Sequence, residues 1–298
     1  MPETQGQSAR QPASPSNRRN SLPLTTSFEG RVGLVARISV ATLLVTLMFG
    51  AKSWVYAADR PALPFQVEWV QDETDPNFLA EALSEKRDID LSSGHQGAIH
   101  SLVLHPELRD ATLLAITDKE RRRLVSNELN AALKLRALTK SQPNLPQWNV
   151  VAPVSVVQLR AAYKVAQQET GIEWEYLAAV NFVETKMGRI RGTSTAGAKG
   201  PMQFLPSTWK IYGKGGNIEN TNDSIAAAAR FLKAKGGPGN MSKALFRYNN
   251  SNNYVQAVTL YAENLKSDPA LLLDYHAWKV IYRWAAGDVY LQEGYAGP

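Results

Sequence analysis

The chain has 298 residues, 44% of them apolar, which is enough for one well-packed domain with extensions and does not require two. It contains no cysteine, so disulfide frameworks, thiolate zinc sites and thiol catalysis are excluded. The formal charge of +6 is uneven, with sixteen Lys/Arg against eleven Asp/Glu from residue 153 onward, which suits an anionic partner; no basic run interleaved with aromatics marks a nucleic-acid module, and nucleic acid is not expected as a partner.

Residues 1–31 are rich in Ser, Pro, Gln, Asn and Arg with little to bury, and are expected to form a disordered tail. From Ile38 to Ala51 no charge occurs, and if Arg37 snorkels the apolar run extends back to Val32, about the twenty residues a helix needs to cross a bilayer. Residues 32–58 therefore read as a transmembrane anchor with Trp54 and Tyr56 at the outer interface, or as a signal peptide cut after Val55-Tyr56-Ala57. With Arg31 and Arg37 on the near side, either version puts residues 59–298 outside the cytoplasm.

Residues 59–150 are expected to be a spacer. Up to residue 109 acidic residues, Pro and Gly mix without a sustained period, and the segment reads as loosely structured. From Arg109 to Lys140 the apolar positions Leu113, Ile116, Leu124, Leu129, Leu133 and Leu135 predict one long or two short amphipathic helices, with Arg121-Arg122-Arg123 on a solvated face. His95, His100 and His105 recur every five residues, which does not gather them on one helix face, so no metal site is expected. Pro143, Pro146 and Pro153 mark a domain boundary near residue 150.

Ser155 with Gln158 three residues later is a capping-box start, and a helix runs from there to about Thr170, where Gly171 stops it. A second helix spans about Glu173 to Thr185; from Tyr176 to Val183 it carries no charge and is apolar nearly all round, as a helix surrounded by protein would be. Glu184 ends this run on the face of Val180 and Leu177. A carboxyl there is partly desolvated and its pKa raised, which suits a general acid; the alternative is a carboxylate paired with Lys186 or Arg189, or one reaching solvent. Gly188, Gly192, Gly197 and Gly200 then allow tight turns and close approach to a ligand. A further helix begins at Pro206, another is capped by Asp223 and stops at Gly236-Gly237, and a third starts near Asn253. Residues 278–284 and 289–291 predict a hairpin in a C-terminal extension spanning 269–298.

Three segments in order carry a resemblance: Asn181-Phe182-Val183-Glu184-Thr185, Ser194-Thr195-Ala196-Gly197-Ala198-Lys199-Gly200-Pro201-Met202-Gln203-Phe204, and Arg247-Tyr248-Asn249-Asn250-Ser251. Together, over residues 171–265, they resemble the lytic transglycosylases of the SLT type, glycoside hydrolase family twenty-three, with the goose-type lysozyme-like fold. The match is to a catalytic Glu followed by a small hydroxyl residue, to a Gly-Ala-x-Gly-Leu-Met-Gln segment with Pro201 in place of Leu, and to an Ala-Tyr-Asn motif with Arg247 in the Ala position. The resemblance implies a lysozyme-like helical domain, placed here over 151–268; with the elements read from the residues, the chain is expected to be mainly α, with a small C-terminal β-hairpin, and preceded by a membrane segment and a partly helical spacer.

The resemblance also implies a peptidoglycan substrate, no cofactor and no metal. It assigns Glu184 as the single catalytic acid and base and places Ser194, Met202, Gln203, Tyr248 and Asn249 around the saccharide, Tyr248 holding the Glu184 carboxyl and Asn249 an acetamido group. On residue type alone Met202 and Tyr248 read equally as core. The rival readings are a hydrolytic muramidase, with Glu219, Asp223 or Asp274 as a second carboxylate, and a non-catalytic cell-wall-binding module.

Overall fold

The computed structural model describes residues 60–84 and 92–298. The tail and the membrane segment expected over residues 1–58 lie outside the described residues, among which no helix is long and apolar enough to cross a membrane. The fold is mainly α, with eleven α-helices and five short strands among those residues.

The region expected to be a partly helical spacer packs into the fold. Strand β1 (Val67–Trp69) is followed by helices α1 (Pro76–Ser84), α2 (Ser92–Leu104), α3 (Arg109–Ala115) and α4 (Lys119–Arg136). The last two are the two short helices expected between Arg109 and Lys140; β1, α1 and α2 stand where a loosely structured segment was expected. The helices' apolar residues Leu79, Leu83, Ile99, Leu102, Val125 and Leu129 are buried in the same cluster as Leu159, Leu177, Phe182 and Tyr261 from the second half. Before residue 109 the elements lack a sustained hydrophobic period, which is why composition alone suggests a loose chain there. The Arg run is not simply a solvated face either: Arg121 Nε donates to Leu83 O at 2.6 Å and Arg122 Nε to Ile116 O at 2.9 Å, fixing chain ends that would otherwise leave buried carbonyls unpaired.

No boundary falls near residue 150. Strand β2 (Asn149–Val150) pairs antiparallel with β3 (Ile190–Arg191), so the proline-rich segment is stitched to the second half of the chain. Helix α5 (Val156–Thr170) begins with the expected capping box, Gln158 N to Ser155 Oγ at 3.3 Å and Ser155 N to Gln158 Oε1 at 3.2 Å, and ends on Gly171 at φ 79°. Helix α6 (Trp174–Thr185) is central: Trp174, Leu177, Ala178, Ala179, Val180, Asn181, Phe182 and Thr185 are all buried. It packs between α5 and α10 (Asn252–Ser267), and around these stand α7 (Pro206–Tyr212), α8 (Thr221–Ala234), α9 (Met241–Tyr248) and α11 (Leu271–Ala277).

Two predicted starts shift. Helix α8 is capped by Asn220, whose side chain accepts from Asn222 N and Asp223 N, while the Asp223 carboxylate accepts from Asn217 N at 2.9 Å. Helix α10 is capped by Ser251. At the C-terminus the predicted hairpin forms as β4 (Val280–Trp284) and β5 (Gly287–Leu291), but it is not alone: β1 adds to β5, giving a three-stranded antiparallel sheet of order β1-β5-β4.

The most extensive helix pairing joins α4 to α10, and a buried polar network crosses it. His95 Nε2 lies 2.7 Å from Glu128 Oε2, Tyr275 Oη donates to Glu128 Oε1 at 3.0 Å, and Asn264 Nδ2 donates to Leu124 O at 2.9 Å. Arg121 Nη2 is 3.0 Å from His95 Nδ1; since a guanidinium only donates, Nδ1 accepts and Nε2 carries the ring proton toward Glu128. Cutting the chain at the expected boundary would strand Asn264 and Tyr275 and open the apolar core. A fragment of residues 151–298 is therefore expected to show no cooperative thermal transition by circular dichroism, whereas residues 60–298 do; within the latter, Glu128→Ala should lower stability by on the order of 3 kcal/mol in urea titration.

Candidate active site

The three sequence segments converge on two backbone carbonyls. At the end of α6, Thr185 Oγ1 donates to Pro201 O at 2.6 Å and Asn181 Nδ2 donates to the same oxygen at 3.0 Å, with Asn181 itself oriented by Tyr163 Oη at 2.7 Å. Next along the chain, Met202 O accepts from Tyr248 Oη at 2.6 Å. The first and third segments are thus both fastened to the second, and all of these partners sit in the interior, where a lost bond leaves a costly unpaired group.

The second segment owes its shape to its own turn. Lys199 and Phe204 exchange backbone hydrogen bonds, both at 2.9 Å, and Gly200 lies at φ +74°, where a Cβ would come within 2.0 Å of Ile218 O. Only glycine fits there. Gln203, also left-handed at φ 50°, donates from Nε2 to Gly200 O at 3.0 Å. Ser194 closes the preceding turn, its Oγ accepting from Ala198 N at 3.0 Å.

Glu184 stands where α6 ends. It keeps partial exposure, so a substrate can reach it, yet its carboxyl is packed by protein. Loss of hydration pushes its pKa up to about 7, and one hydrogen bond opposes that rise: Tyr254 Oη donates to Glu184 Oε1 at 2.7 Å. Neither basic neighbour neutralises it. Lys186 caps the helix at φ 52° and turns its Nζ over the Phe182 ring, 3.9 Å from the centroid, where burial lowers the ammonium to about 8. Arg189 donates to His276 O at 2.9 Å and lies 3.9 Å from Glu293. A carboxyl that titrates near 7 is half protonated at neutrality, the condition for giving up a proton and taking one back.

Several expected positions stand differently. The tyrosine that holds Glu184 is Tyr254, on the first turn of α10, and not Tyr248; the two rings stack at 6.3 Å with 5° between their planes, and Tyr248 braces the Met202 carbonyl beneath the site. Met202 is fully buried, so its side chain packs under the site and does not line it. Gln203 and Ser194 are partly exposed and Asn249, the C-cap of α9, is exposed. Of the alternative carboxylates, Glu219 lies 3.8 Å from Arg191 Nη1 and Asp223 is spent on the Asn217 amide. The sequence assigns Tyr254 no role beyond the helix that starts near Asn253; the usable signal is its place three residues after the Ser251 cap, on the turn that begins where the third segment ends.

Among family models, the transglycosylase SLT domain matches residues 161–270, a span that contains α6, the 194–204 segment, α9 and Tyr254. No curated protein and no solved structure gives a significant match.

Because the folded state holds the Glu184 proton up to about 7 and an unfolded chain only to about 4.5, the folded state binds more protons between these values and stability falls as the pH rises through them. Glu184→Gln is expected to stabilise the protein by up to about 3 kcal/mol at pH 8 and by little at pH 4, read from urea midpoints at the two values. Tyr254→Phe removes the opposing bond and should raise the Glu184 midpoint further in an NMR titration of the carboxyl carbon.

Proposed function

We propose, from the match of residues 161–270 to the transglycosylase SLT domain, that this is a peptidoglycan-degrading enzyme of the lytic transglycosylase kind with a lysozyme-like catalytic domain, and that Glu184 alone supplies acid and base in a non-hydrolytic cleavage. The observation that carries the reading is the desolvated Glu184 carboxyl, raised to about 7 and held by the neutral Tyr254 hydroxyl.

In the proposed reaction, protonated Glu184 donates to the oxygen bridging N-acetylmuramic acid and N-acetylglucosamine, and that C–O bond breaks. The acetamido oxygen of the muramic sugar supports the positive anomeric carbon in place of a second carboxylate. Glu184, now ionised, takes the proton of the C6 hydroxyl of the same sugar, and O6 closes on the anomeric carbon to give a 1,6-anhydro end. Proton and charge balance without water or a cofactor. Tyr254 fits both halves of the cycle: as a neutral donor it holds the carboxyl's orientation and steadies the anion without fixing it in the ionised state, as a buried cation would. Gln203, Ser194 and Asn249, at or near the surface around this point, are proposed to contact the glycan.

The proposal extends to location. Residues 32–58 would keep the enzyme on the cell-wall side of the cytoplasmic membrane as a single-pass anchor, or release it there after cleavage.

Digestion of purified cell wall followed by mass analysis should yield muropeptides one water lighter than reducing-end products. Glu184→Gln should lower their release by about 10²–10⁴-fold. The rate should decline on the alkaline side of about pH 7, as the acid form of Glu184 is lost. Reducing ends in place of anhydro ends would replace this mechanism with hydrolysis.

A further inference from the structure

Outside the span matched by the SLT family, the chain gathers partly exposed aromatic rings around one side of its small sheet. Trp69 and Trp284 stack with centroids 5.8 Å apart and 13° between planes, and Trp148 meets Tyr282 edge-to-face at 5.5 Å and 86°. All four are only half-buried, while the valines and leucines of the same sheet face, Val67, Val280, Val289 and Leu291, are fully enclosed.

Their positions are rigidly set. Gln142 N donates to Arg283 O at 2.9 Å and Ala285 N to Gln142 O at 2.8 Å, while Tyr282 Oη donates to Asn144 O at 2.9 Å and Trp284 Nε1 to Pro143 O at 3.1 Å. At the far end of the segment Tyr295 Oη donates to Pro146 O at 2.7 Å. The run carrying Trp148 is therefore zipped onto the sheet along its length, and its aromatic side chains lose little further freedom on binding.

This surface adjoins the backbone that follows Glu184. Strand β3 leaves the turn after Glu184, pairs with Asn149–Val150, and passes into Gly192 and then Ser194. Gly192 lies at φ +153° directly against Trp148: a Cβ there would come 3.1 Å from Trp148 Cδ1 and 3.6 Å from its Cα. One short stretch of backbone thus runs from the cleaving carboxyl, past a half-exposed indole, to the loop proposed to touch sugar.

We propose that Trp148, with Tyr282 beside it, is a glycan-binding platform that engages sugar rings of the same peptidoglycan strand beyond the bond being cut. The chemistry fits: pyranose rings present flat C–H faces that pack on aromatic faces, and a half-exposed Trp beside a Tyr whose hydroxyl is already bonded to Asn144 O offers apolar area at low entropic cost. A glycan strand is a long repeating polymer, so a surface flush with the catalytic loop meets it as soon as the strand outgrows the central groove. The inference rests on the peptidoglycan reading above.

Two measurements test it. Trp148→Leu, which keeps apolar bulk for the core but removes the flat ring, is expected to raise KM for long glycan strands about five- to tenfold while leaving kcat and the KM for a short soluble fragment unchanged. Equal losses on both substrates, or no loss on either, would overturn the platform. Should that variant fail to fold, hydroxyl-radical footprinting by mass spectrometry on the Glu184→Gln protein, with and without long strands, leaves Trp148 in place. Protection of Trp148 and Tyr282 along with Gln203 supports the platform. Protection of Gln203 without Trp148 sinks it and leaves the active-site assignment standing. Absence of protection at every one of these residues, with no cleavage by the parent protein, would remove the peptidoglycan reading and the platform with it.

Discussion

A single carboxyl group, deprived of water and offered only a neutral hydroxyl in return, is the constraint around which this molecule is arranged. Burial makes the ionised form of Glu184 expensive, and the Tyr254 hydrogen bond refunds part of that cost without a countercharge. For the balance to hold, nearby cations must be kept away. The backbone does this at Lys186, which leaves the helix in a left-handed conformation and directs its ammonium to the face of Phe182. Phe182 is in turn locked among Tyr261, Tyr275 and Trp278, so the direction of one lysine depends on an aromatic cluster built from two later segments, α10 and the α11 helix with its C-cap.

The same cluster explains why the first half of the described chain is not an accessory. Tyr275 stacks on Phe182 and also donates to Glu128 on α4, which is held by His95 on α2. Asn264, on the helix that carries Tyr254, is bonded to the backbone of α4. Helices α2 and α4 therefore set the position of α10, and α10 sets the tyrosine that meets the carboxyl. A buried polar network of this kind adds little net stability when complete but is sensitive to the loss of any member, which makes the placement of α10 specific.

How much of this was legible in the sequence follows the range of the interactions involved. Helices α5 and α6 could be read to within a residue or two because capping boxes, glycine stops and an unbroken apolar run act over a few positions. The desolvation of Glu184 was likewise visible, since it follows from the residues one and two turns before it. Tyr254 was not, because its role depends on where α10 crosses α6, a separation of 70 residues that no local pattern encodes. The two helices between Arg109 and Lys140 were legible from their apolar spacing, but α1 and α2 before them show no sustained period, and their stability comes from packing against residues far along the chain. Met202 was undecidable between ligand and core by residue type, and its burial is set by the turn at Gly200.

The sheet joins the first strand described to the last, and among the described residues β1 pairs only with β5, Val67 opposite Leu291. During synthesis β1 emerges long before β5 exists and can only wait for its ladder. Until the hairpin is made the sheet presents an open edge over a half-covered interior, a ready target for proteolysis.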